Sequence, residues 1–288
     1  MRNYFTIQDR DRLYQPITLI DSRDYGIYIS GSGTWSAPPK QYNVVQVPGK
    51  NGDLLMGSRS FENGIVTYPD CFIYADFETN LEAFRADLMS LYGYAELHDS
   101  YHTGYWRQVF FPGEFDPVIE PQQNAGRFSL EFNCKPQKWL GSGLVRTDMA
   151  SVPSLTNPTR FIAKPLIEVY GTGTFRWNST GKVLHNRGYE DYDQSIYITV
   201  SQRSPLGSGY PVFIDSETML CYVNDQITPE EWMVVNPVNW GTHVKITTDS
   251  AGTIPAYEFP EIRDNSATIS DASSTITKVV VRPRWWTV

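Results

Sequence analysis

Apolar and polar residues alternate with a period of two along much of the chain. This period is typical of strands with one buried face, because successive side chains of a strand point to opposite faces. The alternating segments are short and are separated by Gly, Pro, Asn and Ser, which favours sandwiches or barrels over a parallel α/β sheet. The segments predicted as strands are residues 27–29, 44–47, 128–132, 166–170, 196–200, 244–247 and 278–281.

One segment, at about residues 80–92, has helical periodicity instead. Thr79 and Glu82 have the spacing of a capping box, which predicts the helix start, and Gly93 is placed to end the helix. We expect this helix to lie against a sheet through one apolar stripe. The stripe consists of Leu81, Phe84, Leu88 and Leu91.

Two further segments predict hairpins. Residues 95–98 and 105–111 flank a polar turn. Near residues 48–60, the Asn51-Gly52 pair predicts either an ordinary tight turn or the tip of a protruding arm, because both residue types tolerate positive φ. The local sequence leaves both alternatives open and favours the tight turn. The candidate arm residues are Pro48, Gly49, Lys50, Asn51, Gly52 and Asp53.

The composition changes around residues 141–160, where Gly, Ser, Pro and Thr replace large apolar residues. Such a change is typical of a connector between compact units. We therefore expect a first domain at 1–141, a linker at 142–160 and a second domain at 161–288. The strand pattern of residues 278–288 suits either completion of the second domain or packing against the first.

Composition and charge narrow the class of protein. The 288 residues are 41% hydrophobic and 14% aromatic, so the chain can bury a sizeable core and is not a disordered tail. The net charge is −8, with 12 basic and 17 acidic residues up to position 141 and 12 and 15 after it. The sequence contains no basic stripe of the kind that neutralises phosphates, which argues against a nucleic-acid binder. The first residues include acids and no apolar run, so we expect synthesis without export.

The sequence offers little for catalysis. It has no phosphate loop, no GxGxxG motif and no GxSxG motif, so we predict no catalytic residue, no cofactor and no metal. Cys71, Cys134 and Cys221 are odd in number and far apart, which predicts small core residues. His98 and His102 would share a metal on a helix, but their neighbours predict a turn, so two turn-side histidines are favoured.

Aromatic and acidic clusters have both functional and structural interpretations. Large aromatics can form sugar-binding platforms, but filling of cores and interfaces is the favoured interpretation. The pair Glu230-Glu231 follows Thr228-Pro229, which predicts the first turn of a helix rather than a catalytic acid pair. Six of the eight tryptophans lie in the later part of the chain: Trp139, Trp177, Trp232, Trp240, Trp285 and Trp286.

Four groups of segments, in order along the chain, together resemble the distal tail protein family of long-tailed, siphovirus-type bacteriophages. The resemblance runs from about residue 44 to the end of the chain, and no position within it is a known catalytic residue of that family. The segments are 47–54 with 61–63 and 68–69, then 132–139, then 157–159 with 163–173, and finally 281–286.

The resemblance implies a mainly β protein of two domains. The first would be a ring-forming β-sandwich or split-barrel-like domain with one helix and an arm that laps the neighbouring subunit; the second would be a galectin-like β-sandwich. The implied function is that of a virion structural protein: a homohexameric ring at the tail tip that joins the tail tube to the tip or baseplate hub. Such a protein assembles in the bacterial host cytoplasm and has no membrane anchor.

The resemblance also implies partners. These are further copies of the chain, the major tail or tail tube protein, the tail-associated hub protein and, in some phages, a receptor-binding protein. DNA and the tape-measure protein would pass through the ring's channel without specific binding.

A galectin-like domain raises an alternative function, a carbohydrate-binding module for host cell-wall polysaccharide. His185, Arg187 and Trp240 faintly match the polar and tryptophan pattern of galectins and are the candidate glycan contacts. The spacing differs from that pattern and an acidic partner after the tryptophan is missing, so the ring protein is favoured. A third class of function, a tail-associated hydrolase, is supported by no residue of the sequence.

Overall fold

The computed structural model is mainly β, as predicted, and divides into two compact units. The first is Met1–Trp139 with Val288, and the second is Leu140–Thr287. The described residues are 3–10, 16–30, 37–74, 76–113, 116–120, 124–185, 188–191, 193–201, 211–223, 244–251, 256 and 258–288.

The first unit is built on a curled antiparallel sheet with one helix, α1 (Phe77–Ser90). The strand order is β2-β1-β7-β8-β10-β6-β3, and β9 pairs with the start of β10. A bridge between Asn3 and Ile29 joins the chain before β1 to β3, which draws two distant parts of the sheet together. The strands are β1 (Phe5–Arg10), β2 (Pro16–Asp21), β3 (Ile27–Ser30), β4 (Lys40–Gln46), β5 (Asp53–Phe61), β6 (Gly64–Ile73), β7 (Ala95–Asp99), β8 (Tyr105–Phe110), β9 (Val118–Glu120) and β10 (Ala125–Leu140).

Helix α1 begins earlier than the sequence predicts. Asp76 precedes it in the left-handed region, at φ 47°, and makes no side-chain cap, while Thr79 lies inside the helix. The predicted capping box is therefore wrong. The cause is Phe77, which is buried and extends the predicted stripe by one turn, so that Phe77, Leu81, Phe84 and Leu88 all enter the core.

The core of the first unit is an aromatic cluster between α1 and the sheet. Phe5 on β1 stacks on Tyr68 on β6 with ring centroids 5.4 Å apart, and it meets Phe84 and Phe132 edge to face. Gly126 on β10 lies directly under the ring of Phe77, where even a Cβ atom would collide. The absence of a side chain at position 126 is what lets the helix approach the sheet.

The second unit is a sandwich of two five-stranded antiparallel sheets, in the orders β11-β22-β13-β18-β19 and β12-β21-β14-β17-β20. Its core takes residues from both sheets, including Ile167 and Val281 from the first sheet and Phe175 and Ile198 from the second. The strands are β11 (Thr147–Asp148), β12 (Ser154–Thr156), β13 (Leu166–Gly171), β14 (Gly173–Thr180), β15 (Lys182–His185), β16 (Gly188–Asp191), β17 (Gln194–Val200), β18 (Val212–Asp215), β19 (Leu220–Val223), β20 (Val244–Thr247), β21 (Ser266–Ser270), β22 (Ile276–Arg282) and β23 (Trp286–Thr287).

Residues near the predicted connector and the chain end belong to this sandwich. The stretch 142–160 supplies β11 and β12, which pair with β22 and β21. After β22, Arg284 forms a bidentate ion pair with Asp215, at 2.6 and 3.0 Å. The Trp286 indole N–H donates to the Ile162 carbonyl at 2.9 Å. These contacts hold residues 284–286 within the second unit.

The local predictions that concern strands and cysteines are confirmed. Every segment predicted as a strand overlaps an observed strand, and β7 and β8 form the predicted hairpin. Cys71, Cys134 and Cys221 are free and buried. Burial raises the pKa of Cys71 and Cys221 to about 12, so these thiols stay protonated.

Candidate interaction surface

The strands β4 and β5 form a hairpin that is separate from the curled sheet. They pair with each other as a two-stranded sheet, with Val45 opposite Leu54 and Gln46 opposite Asp53. Every residue of β4 is exposed. We name this hairpin, Lys40–Phe61, the arm.

The six candidate residues Pro48–Asp53 make up the tip of the arm and the first residue of β5, and all six are exposed. The Lys50 backbone N–H donates to the Val47 carbonyl at 3.1 Å, which closes the turn. Gly49 and Gly52 both have φ of 80°, whereas Asn51 is not among the residues with positive φ. Asn51 and Gly52 lie at a hairpin tip, as their tolerance of positive φ indicated, but only the glycine of the pair uses that conformation.

The arm carries apolar residues on both of its faces. Tyr42 and Val44 share one face because they are two residues apart on a strand, and they are 62% and 50% exposed. Val45 and its cross-strand partner Leu54 share the other face and are also exposed. An isolated two-stranded hairpin is marginally stable in water, and this arm has no polar face to turn toward solvent. Its side chains therefore suit burial against another surface.

The base of the arm is fixed to the first unit. The Glu62 backbone N–H donates to the Pro39 carbonyl at 2.9 Å, next to the Lys40–Phe61 pair. The Asn63 side-chain amide then donates to Asn133 Oδ1 on β10 at 2.9 Å. A fixed base with an exposed tip allows the arm to project in a defined direction.

A second exposed apolar strand lies in the same unit. Val118 and Ile119 of β9 are 68% and 52% exposed, and because they are adjacent they face opposite sides of the strand. Asp116, just before β9, is also exposed. The sequence does contain a hint of both surfaces, since Val44-Val45 and Val118-Ile119 are consecutive apolar pairs within short strands. We predicted only the tip of the arm and missed these flanking residues.

The histidines are separately partnered. His98 lies in β7, not in a turn as predicted; its ring stacks on Trp106, and its Nε2 is 3.4 Å from Glu96 Oε2. His102 does lie in a turn, with Nδ1 3.3 Å from Asp99 Oδ1. Burial lowers the pKa of His102, an effect opposed by Asp99. Among the described residues, no group of three or more His, Cys, Asp or Glu could hold a metal ion.

The candidate glycan contacts are not brought together in the described part of the chain. His185 ends β15, and nothing is described of its side chain, while Arg187 and Trp240 lie outside the described residues. The predicted helix start at Glu230-Glu231 and Trp232 also lie outside them. The sugar-binding hypothesis therefore gains no site from the structure.

The described tryptophans that were weighed as sugar platforms are mostly buried. Trp177 is fully buried in the sandwich, and its indole N–H donates to the Glu261 carbonyl at 3.0 Å. Trp139 stacks on Trp106 with centroids 5.6 Å apart, and Trp285 is buried. Trp286 is half-buried against Phe161. The structural interpretation of these four residues is confirmed.

The outer face of the β14 sheet has a different chemistry from the arm. The Arg176 Nε–H donates to Ser195 Oγ at 2.8 Å, and the Ser195 hydroxyl donates to Asn178 Oδ1 at 3.1 Å. The Asn178 side-chain amide in turn donates to Ser270 Oγ at 3.2 Å. This chain of hydrogen bonds crosses three strands, so these polar groups are satisfied by one another and need no partner protein.

Comparison with solved structures identifies a protein of the same fold. The chain resembles the Dit (gp 19.1) protein of phage SPP1 with a TM-score of 0.54 and 11% sequence identity. The match covers 96% of this chain and 97% of that one. The SPP1 protein is described as a paradigm of the hub adsorption apparatus in phages that infect Gram-positive hosts. This chain and the SPP1 protein therefore share a two-unit β fold over nearly their whole lengths.

The comparisons by sequence, unlike the comparison by structure, found no match. No protein-family model matches the chain, and no curated protein matches it. In the described residues, no helix has both the length and the apolar character required to cross a membrane.

Proposed function

We propose that this chain is a virion structural protein of a phage tail, and that six copies close into an adaptor ring at the tail tip. The ring would join the tail tube above to the hub below and leave a channel for DNA and the tape-measure protein. The observation that carries this proposal is the match to the SPP1 Dit fold along nearly the whole of both chains. A match limited to the sandwich would have supported only a β-sandwich module.

The arm supports self-association as the basis of the ring. Each copy presents apolar side chains on both faces of a hairpin that its own sheet leaves uncovered. A contact between two different patches, repeated by rotation, closes into a ring when the angle permits. An arm that laps a neighbour adds such an interface without enlarging the core of the subunit.

Electrostatics are compatible with a channel for DNA. The net charge of −8 disfavours non-specific binding of a polyanion. The major tail protein, the tail-associated hub protein and a receptor-binding protein are the proposed partners of the ring faces, and the virion tail is the proposed location.

Native mass spectrometry and size-exclusion chromatography with light scattering test this proposal. Wild-type protein should elute as a particle of six times the 32.8 kDa chain mass. Because Tyr42 lies opposite Gly57, residues 43–56 can be replaced by a short Gly-Ser turn without altering the base of the arm. This variant should be monomeric.

A matched variant keeps the length of the arm and replaces apolar residues of its strand β4 by polar ones. Replacing Val44 and Val45 by Thr keeps strand propensity and hairpin length, and the resulting protein should remain folded by circular dichroism. A wild-type chain that stays at 32.8 kDa at high concentration, or an armless variant that still forms the full particle, contradicts the proposal.

A further inference from the structure

We propose that the arm of one copy docks by strand addition on β9 of a second copy. This inference rests on the proposed self-association and names the surface that receives the arm. Among the described residues, β9 pairs only with β10, through Ala125–Arg127, and β4 and β5 pair only with each other. Both elements therefore have an open edge whose backbone N–H and C=O groups can hydrogen-bond to another strand.

The apolar pattern of the two elements matches. Val118 and Ile119 place one exposed apolar side chain on each face of β9. The arm likewise carries Tyr42 and Val44 on one face and Val45 and Leu54 on the other. If β9 paired with a strand that had one polar face, either Val118 or Ile119 would remain in contact with water. Paired edge to edge, the arm and β9 would continue both apolar faces across the junction.

The charges of the two elements are opposite. The arm contains three basic residues, Lys40, Lys50 and Arg59, and one acidic residue, Asp53. Residues 112–126, which include β9, contain three acidic residues and no basic one. Pairing of arm with arm, or of β9 with β9, would bring like charges together, which is destabilising in paired strands. The charges therefore favour a contact between unlike elements of two copies, which is the head-to-tail type that builds rings.

A charge-swap experiment tests the docking in the full-length protein. Lys50 and Asp116 are both exposed, so Lys50→Glu and Asp116→Lys should leave the fold intact. Each single change should weaken self-association by roughly two- to fivefold, and the double variant should recover most of the loss. Analytical ultracentrifugation over a concentration series measures these constants. Lys245→Glu, on an exposed position of β20, is the matched control and should have no effect.

Cross-linking between mixed chains gives an independent test. One chain carries Val45→Cys and the other carries Ile119→Cys, and a short bismaleimide reagent is added to the mixture. The native thiols are buried and will not compete. A cross-linked dimer should form in the mixture and not with either variant alone.

The outcomes separate this inference from the proposed function. If rings form normally, Asp116→Lys behaves like the control and no mixed cross-link appears, then the arm docks elsewhere. This outcome would overturn the inference alone. Failure of the wild-type chain to associate would overturn the proposed function and the inference together. Recovery in the double variant with a mixed cross-link supports both.

Discussion

The two units differ in where they expose apolar side chains. Of the 18 large hydrophobic residues exposed among the described residues, 14 lie in the first unit and 4 in the second. Seven of the 14 lie in the arm and β9, whereas the second unit presents hydroxyl and amide groups on its β14 sheet. The first unit has exposed apolar strands that suit burial against another surface, and the second has a face suited to water.

The charged groups of the arm differ from those buried within the two units. In the second unit, Glu168 is only 2% exposed and accepts hydrogen bonds from Arg146, with Arg282 Nε 3.4 Å from its Oε1. Glu96 of the first unit is 7% exposed and is paired with Arg10 in the same way. The arm holds its lysines at exposed positions instead. Buried pairs therefore fix the fold of both units, while the exposed charges of the arm remain available to select a partner.

The largest expected effect is on the sandwich core. Trp177→Ala removes a fully buried side chain and should lower the free energy of unfolding of the second unit by about 3–5 kcal/mol. Hydrogen exchange should show lost protection in β13, β14 and β17 and unchanged protection in β1 and β6. Equal loss in both units would mean that they do not differ as independent folding units. Tyr92→Ala, a truncation of a fully exposed aromatic residue of the first unit outside the arm, is the control and should leave protection unchanged.

A smaller effect is expected from making the arm polar. The double variant Val44→Ser, Val45→Ser should change the stability of the isolated chain by less than about 0.5 kcal/mol, because both side chains are already exposed. It should weaken self-association about tenfold, equal to about 1.4 kcal/mol. Sedimentation equilibrium measures the association, and urea unfolding measures the stability. Val152→Ser, an exposed valine of the second unit, should change neither; an equal effect there would remove the contrast between the units.

The smallest effect concerns a property that the units share. Cys71 and Cys221, one in each unit, have pKa values raised from 9.0 to about 12 by burial. Above pH 9 the unfolded thiol loses its proton while the folded one keeps it, so stability is full below pH 9 and falls between 9 and 12. Each thiol should contribute roughly 1 kcal/mol per pH unit. Urea unfolding at pH 9 and at pH 10 should show a smaller loss of stability for Cys71→Ala than for the wild type; an identical loss would contradict the burial effect.

Much of the fold could be predicted because its causes are local. Strand segments and the stripe of α1 follow from the spacing of apolar residues along the chain. The start of α1 could not be predicted in this way, since it depends on Phe77 packing over Gly126, which lies about fifty residues later. The position of His98 was missed for a similar reason, because pairing of β7 with β1 and β8 extends the strand through residues that resemble a turn.

The candidate surface was predicted only in part. The tip of the arm followed from an Asn-Gly pair, a local feature. The exposure of Val44 and Val118 could not be predicted, because consecutive apolar residues in a strand most often indicate a fully buried strand. The strand pairing shows instead that the β4–β5 hairpin is separate from the main sheet and that, among the described residues, β9 pairs only with the start of β10.

The open edges of the arm also have a consequence for the newly made chain. Before it meets its neighbours, a hairpin with uncovered edges can pair with any extended segment it encounters, including the wrong part of another copy. Lysines at positions 40 and 50 would slow such mispairing by mutual repulsion while still admitting an acidic strand. Rapid burial of these edges in the proposed assembly would then protect the protein from precipitation as well as build the particle.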